Sequence, residues 1–157
     1  MTSTVPVNSP VLQLGSQGQA VKDLQVLLNK TVAANLNVDG IFGRQTQDAV
    51  KTTQSIFFLT IDGIVGEKTW SVLRSNQPIA MPVLKLGNKG DLVRRVQVVL
   101  KDAKYYTSQI DGDFGANTQS AIANLQTTQK IAVKKLGEID QPTWEVLVSL
   151  AKYFALD

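Results

Sequence analysis

VDGIFGRQTQDAVKTTQ (38–54) and IDGDFGANTQSAIANLQ (110–126) lie 72 residues apart and read as versions of one another. Working outward at the same offset, PVLQLGSQGQAVKDLQVLL (10–28) meets PVLKLGNKGDLVRRVQVVL (82–100). Across 10–56 against 82–128, 18 of 47 positions are identical, where unrelated sequence would share about three. Past Gln126 the offset becomes 74, pairing TWSVL (69–73) with TWEVL (143–147), so two residues are inserted in the second copy before Thr143. The chain is a duplication, with domains expected at 1–77 and 78–157.

Each copy reads alike. A Gly-x-x-Gly pair (Gly15 and Gly18; Gly87 and Gly90) marks a turn. Val21, Leu24, Leu27 and Leu28 then fall at helical spacing, as do Val93, Val96, Val99 and Leu100. A loop closes on Asp-Gly at 39–40 and 111–112, a strong turn signal. After Phe-Gly (42–43; 114–115) a second helix is predicted, with Ala49 and Val50, or Ala121, Ile122 and Leu125, facing inward. Asp62-Gly63 marks a second turn. A short third helix is predicted to begin near Thr-Trp (69–70; 143–144), burying Trp70 and Leu73, or Trp144, Leu147 and Ala151. The predicted fold class is all-α: two tandem three-helix modules with long ordered loops. No helix is expected to exceed about 14 residues, so each depends on burying its apolar face against the others. The stretch Ser75–Pro82 reads as a connector, interrupted by Pro78 and Pro82 and carrying Ile79 and Met81 to lie against a module.

Composition narrows the function classes. Hydrophobic residues make up 43% and charged residues 18%, enough for a packed core. The net charge of +3 is mild, and neither half has the basic excess that phosphate neutralisation demands, so nucleic acid is not an expected partner. No apolar run reaches the ~20 residues of a membrane span, so no membrane insertion is expected. MTSTVPVNSPVLQLG at the N-terminus shows neither a basic nor an apolar signal region.

Neither histidine nor cysteine occurs. Their absence removes the usual zinc-hydrolase ligand sets, Ser-His-Asp and Cys-His arrangements, so no catalytic residue, metal or cofactor is expected. Ser149-Leu150-Ala151-Lys152 matches Ser-x-x-Lys but lacks its companion elements, which makes chance the better reading. A glycosidase would need paired acids across a cleft. Asp39, Asp62 and Asp111 each precede glycine, where aspartate bonds its own turn backbone.

The full pattern is L-x-x-G-x-x-G-x-x-V-x-x-L-Q-x-x-L, then D-G-x-F-G-x-x-T-x-x-A-V-x-x-x-Q, then D-G-x-x-G-x-x-T-W-x-x-L. In repeat one it runs from Leu12 through Gln25, Asp39, Thr46, Gln54 and Asp62 to Leu73. It resembles the bacterial peptidoglycan-binding domain of the first type, over about nine-tenths of the chain. The resemblance implies a three-helix fold, non-catalytic binding of cell-wall muropeptide with an anchoring or targeting role, and a cell-wall or periplasmic location. It implies peptidoglycan as partner, with a cell-wall enzyme acting in trans as a further one. The alternative is a protein–protein scaffold that keeps the fold without glycan binding. In repeat two, Lys135–Asp140 replaces Ile61–Gly66, and the expectation is that the second Asp-Gly turn is lost there.

Most repeated positions have structural readings as well as functional ones. The glycines suit turns, and Gln25, Gln54, Gln97 and Gln126 suit tying a loop to a helix. Thr46 and Thr118 suit support of helix two, and Thr69 and Thr143 suit the N-cap of helix three. A muropeptide carboxylate would be met by helix-start N–H groups beside an arginine. The expected ligand-binding residues are therefore Asp39, Phe42, Gly43, Arg44 and Thr46, with Asp62 and Gly63 if the second turn folds back alongside. In repeat two they are Asp111, Phe114, Gly115, Asn117 and Thr118, with Ala116 in place of Arg44.

Overall fold

The computed structural model describes residues 9–156; the sequence reading of the first eight residues lies outside them. The chain divides into two compact units, Met1–Ile79 and Ala80–Asp157. Module one contains α1 (Gln19–Val32), α2 (Arg44–Ile56) and α3 (Glu67–Ser75). Module two contains α4 (Asp91–Asp102), α5 (Ala116–Thr128) and α6 (Gln141–Leu156). The described residues are all-α, with isolated bridges between loops.

In module one the core is Val21, Leu24 and Leu28 of α1, Ala49 and Val50 of α2, and Trp70, Val72 and Leu73 of α3. Leu27 is only half-buried. Module two repeats this with Val93, Val96, Val99, Leu100, Ala121, Ile122, Leu125, Trp144 and Leu147, while Ala151 is half-buried. Each tryptophan reaches back across its module. Trp70 Nε1 donates to the Pro10 carbonyl and Trp144 Nε1 to the Pro82 carbonyl, both at 2.8 Å, so each buried indole has its N–H satisfied by the segment that enters its module. Arg74 covers the Trp70 ring at 4.5 Å from its centroid.

The loops are ordered because each one is paired. Leu12 and Val65 exchange backbone bonds, and Gly15 and Gly18 donate to the carbonyls of Phe42 and Gly40. Module two matches this with Leu84 and Ile139, Gly87 and Phe114, and Gly90 and Gly112. The pairing carries Phe42 and Phe114 under the loops and into the core.

A deeper regularity sits inside each module. A buried glutamine of one helix holds the following turn and the third residue of the next helix. Gln25 Oε1 accepts from Gly40 N, while its Nε2 lies 3.0 Å from Asp39 Oδ1, 3.1 Å from the Ile41 carbonyl and 3.2 Å from Thr46 Oγ1. Gln54 does the same with Gly63, Asp62, Ile64 and Thr69. Gln97 does it with Gly112, Asp111, Asp113 and Thr118. A helix, a turn and a helix start are thus one unit, used twice per module.

Three expectations are corrected. Thr69 and Thr143 are not N-caps: Gly66 takes that place at α3, and both threonines lie in the first turn, where their hydroxyls accept from Gln54 and Gln126. The last helix, α6, runs 16 residues rather than at most about 14. The second turn of module two is retained. Gly137 has φ 89 and donates to Gln126 Oε1 at 2.8 Å, as Gly63 with φ 73 does to Gln54. What is lost is the carboxylate, because Leu136 stands where Asp62 does. Asp140, in place of Gly66, accepts from the Thr143 hydroxyl and supports the start of α6.

Candidate functional site

A cleft of about 270 Å³ opens in module one between the α1–α2 loop and the start of α2. It is lined by Gln25, Leu36, Asn37, Asp39, Ile41, Gly43, Arg44, Gln45 and Thr46. Sequence dictates its parts. Gly40, at φ 74, turns the chain so that its backbone packs on the Gly18 carbonyl, where a Cβ would approach to 3.1 Å. Gly43 then starts α2 from an extended conformation with no side-chain cap. The first turn of the helix thus has no side-chain cap and stands beside the exposed Arg44, an arrangement that favours an anion.

The cleft brings together four of the expected residues: Asp39, Gly43, Arg44 and Thr46. Their roles differ. Asp39 is exposed, and its Oδ1 also accepts from Ile41 N at 2.9 Å. The Gln25 amide, and then the Ile41 N–H, hold its carboxyl below the usual aspartate range. Thr46 is 3% exposed and engaged by Gln25, so it shapes the floor of the cleft.

Phe42 does not belong to the cleft. It is 1% exposed and forms core, as does Phe114 at 2%. Asp62 and Gly63 do not line the cleft either. Asp62 staples its own turn through Ile64 N, and Gly63 packs over Gln47 and Lys51 of α2. In module two, Asp111 staples its turn through Asp113 N and Gln97, and in that order the two bonds depress its pKa. Gly115 starts α5 from an extended, uncapped conformation. Thr118 is buried against Gln97, and Asn117 is exposed.

Five lining residues lie outside the site expected from sequence: Gln25, Leu36, Asn37, Ile41 and Gln45. The exposure of Ile41, an apolar residue within a turn motif, is the signal that could have found it. Leu36 is set by a local clamp: Asn29 Oδ1 accepts from Leu36 N at 2.7 Å and its Nδ2 donates to the Leu36 carbonyl at 3.0 Å.

A family model described as "Putative peptidoglycan binding domain" matches residues 17–73 and again 89–147. No curated protein matches the chain. Among solved structures, the SleB N-terminal domain is 35% identical over 44% of this chain and 94% of its own, with a TM-score of 0.42. The L,D-transpeptidase of Xylanimonas cellulosilytica is 33% identical over 49% of this chain and 37% of its own, with a TM-score of 0.39. The Burkholderia AP3 phage endolysin is 26% identical over 74% of this chain and 38% of its own, with a TM-score of 0.43. The match thus spans well under half the length of those last two proteins.

Proposed function

The chain belongs to the peptidoglycan-binding domain family, once in each module, and from that premise we propose that it binds cell-wall peptidoglycan without cleaving it. Its role in this reading is to anchor or target at the wall, with a cell-wall enzyme acting in trans as a second partner. The observation that carries the reading is the module-one cleft. There Arg44 and the uncapped start of α2 suit a peptide carboxylate, while Asp39 offers an acceptor to amide N–H groups of the same ligand.

The residue inventory supports binding without catalysis. Histidine and cysteine are absent, and Asp39 and Asp111 accept bonds within their own turns that lower their pKa. An aspartate committed in this way is a poor general acid, since catalysis of that kind needs a raised pKa. The scaffold alternative is favoured by the changed third segment of module two, although there Gly137 keeps the turn and the losses are the carboxylate and the later glycine. Among the described residues no helix is long and apolar enough to cross a membrane.

Sedimentation with purified, protein-free peptidoglycan tests the proposal. The chain should pellet with the wall and release no soluble fragments. Arg44→Ala should remain in the supernatant while staying folded. If the wild-type chain does not pellet, wall binding is wrong and the scaffold reading replaces it. If Arg44→Ala pellets as wild type does, the cleft is not the site.

A further inference from the structure

We infer that Tyr106 closes, in module two, the cleft that module one holds open, so that the duplicated chain carries one open muropeptide site and one occluded one. The inference rests on the reading of the module-one cleft as the wall-contact site.

The two modules leave their first helix differently. α1 runs to Val32, whereas α4 stops at Asp102, two residues short of the equivalent point. Lys104 then turns left-handed at φ 70, and the N–H groups of Tyr105 and Tyr106 both return to the Leu100 carbonyl. This exit carries Tyr106 inward, to 5% exposure. Its hydroxyl donates to the Gln109 carbonyl at 2.7 Å and lies 3.3 Å from Gln97 Nε2. At the repeat offset, Gln97 and Gln109 correspond to Gln25 and Asn37, two residues that line the open cleft. The phenol therefore bridges the counterparts of two cleft walls.

Module one has nothing to put there. Ala34 stands at the position of Tyr106, and the loop is held instead by the clamp of Asn29 on Leu36. Lys101 replaces Asn29 in module two, so that clamp is gone. The rim chemistry changes in the same sense. Ala116 replaces Arg44 and Asp113 replaces Ile41, exchanging a cation for a carboxylate. Asp113 is only loosely answered by Lys89 at 4.0 Å, with both side chains largely exposed. Shape and charge thus both turn an anionic ligand away from module two.

The test is amide NMR of the full chain titrated with a soluble muropeptide, an N-acetylmuramic acid bearing its short peptide, because each module reports separately. In the wild-type chain, the amides of 39–46 should shift and those of 111–118 should not. Ala116→Arg alone should leave 111–118 silent, and Tyr106→Ala combined with Ala116→Arg should make that segment respond. If removing the phenol unfolds module two, Tyr106→Leu with Ala116→Arg keeps apolar volume, cannot reach Gln109, and should give the same gain. A wild-type response in 111–118 equal to that in 39–46 overturns the inference. So does continued silence of 111–118 in a folded double variant while 39–46 respond. Silence of both segments in every protein overturns the cleft reading itself, and this inference with it.

Discussion

Gln25 and Asp39, fourteen positions apart, meet through an Nε2–Oδ1 hydrogen bond of 3.0 Å, and the same carboxylate oxygen caps the Ile41 N–H at 2.9 Å. One contact therefore sets both the geometry of the turn and the wall of the cleft. It recurs at Gln54 with Asp62 and at Gln97 with Asp111.

Removing the glutamine should destabilise its module strongly. Gln25→Ala strands the buried Gly40 N–H and the Thr46 hydroxyl, and each such unsatisfied group costs about 1–3 kcal/mol. Urea unfolding followed by tryptophan fluorescence checks this, with Trp70 as the probe of module one and Trp144 of module two. Module one should unfold at lower urea, while the Trp144 signal keeps its wild-type midpoint.

Leu136→Asp should stabilise module two. Leu136 is 58% exposed, so its loss costs little, and a carboxylate there gives Gln126 the acceptor that Asp62 gives Gln54. The gain expected for one such bond is about 0.5–1.5 kcal/mol. A rise in the Trp144 unfolding midpoint supports the equivalence of the two turns, and a fall contradicts it.

The acid limb of stability should carry the turn aspartates. The pKa values of Asp39 and Asp111 are depressed in the folded state, so their contribution is full above the unfolded aspartate value of about 3.9. It is lost as pH falls through the folded values below that. Asp39→Asn with Asp111→Asn keeps an acceptor oxygen and removes the titration. The double variant should show a shallower decline in melting temperature between about pH 4 and pH 2 than the wild type.

Wall binding should depend on Arg44 geometry as well as charge. A guanidinium meets a carboxylate with two parallel N–H bonds, which a lysine cannot reproduce. Arg44→Ala should weaken muropeptide binding about tenfold or more, given about 1.5–3 kcal/mol for a bond to a charged group, and Arg44→Lys should recover only part of it. Isothermal titration at two salt concentrations checks both, since the charge component weakens as salt rises. Equal affinity of Arg44→Lys and wild type would contradict a bidentate contact.

The repeat made most of the fold legible. Helix faces, Asp-Gly turns and the tethering glutamines all depend on residues near one another in sequence or repeated at a fixed offset, so a pattern suffices to find them. The candidate site was legible only in part. Asp39, Gly43, Arg44 and Thr46 belong to one continuous motif and gather in the cleft. Phe42, in the same motif, is turned inward by backbone pairing with Ser16, a partner that no local pattern names.

By itself the sequence determined the duplication, the all-α class, the turns that need glycine and the absence of histidine and cysteine chemistry. These follow from residue identity and short-range spacing, which act before any tertiary contact exists. Only the tertiary structure decided that Gly137 preserves a turn whose aspartate is gone, because it keeps the hydrogen bond to Gln126 that Gly63 makes to Gln54. It alone decided that Tyr106 is buried against Gln97 and Gln109, at the position where the first copy has Ala34. Which side chain fills a void depends on where each helix ends and how its loop is tied, and both are set by packing across the module.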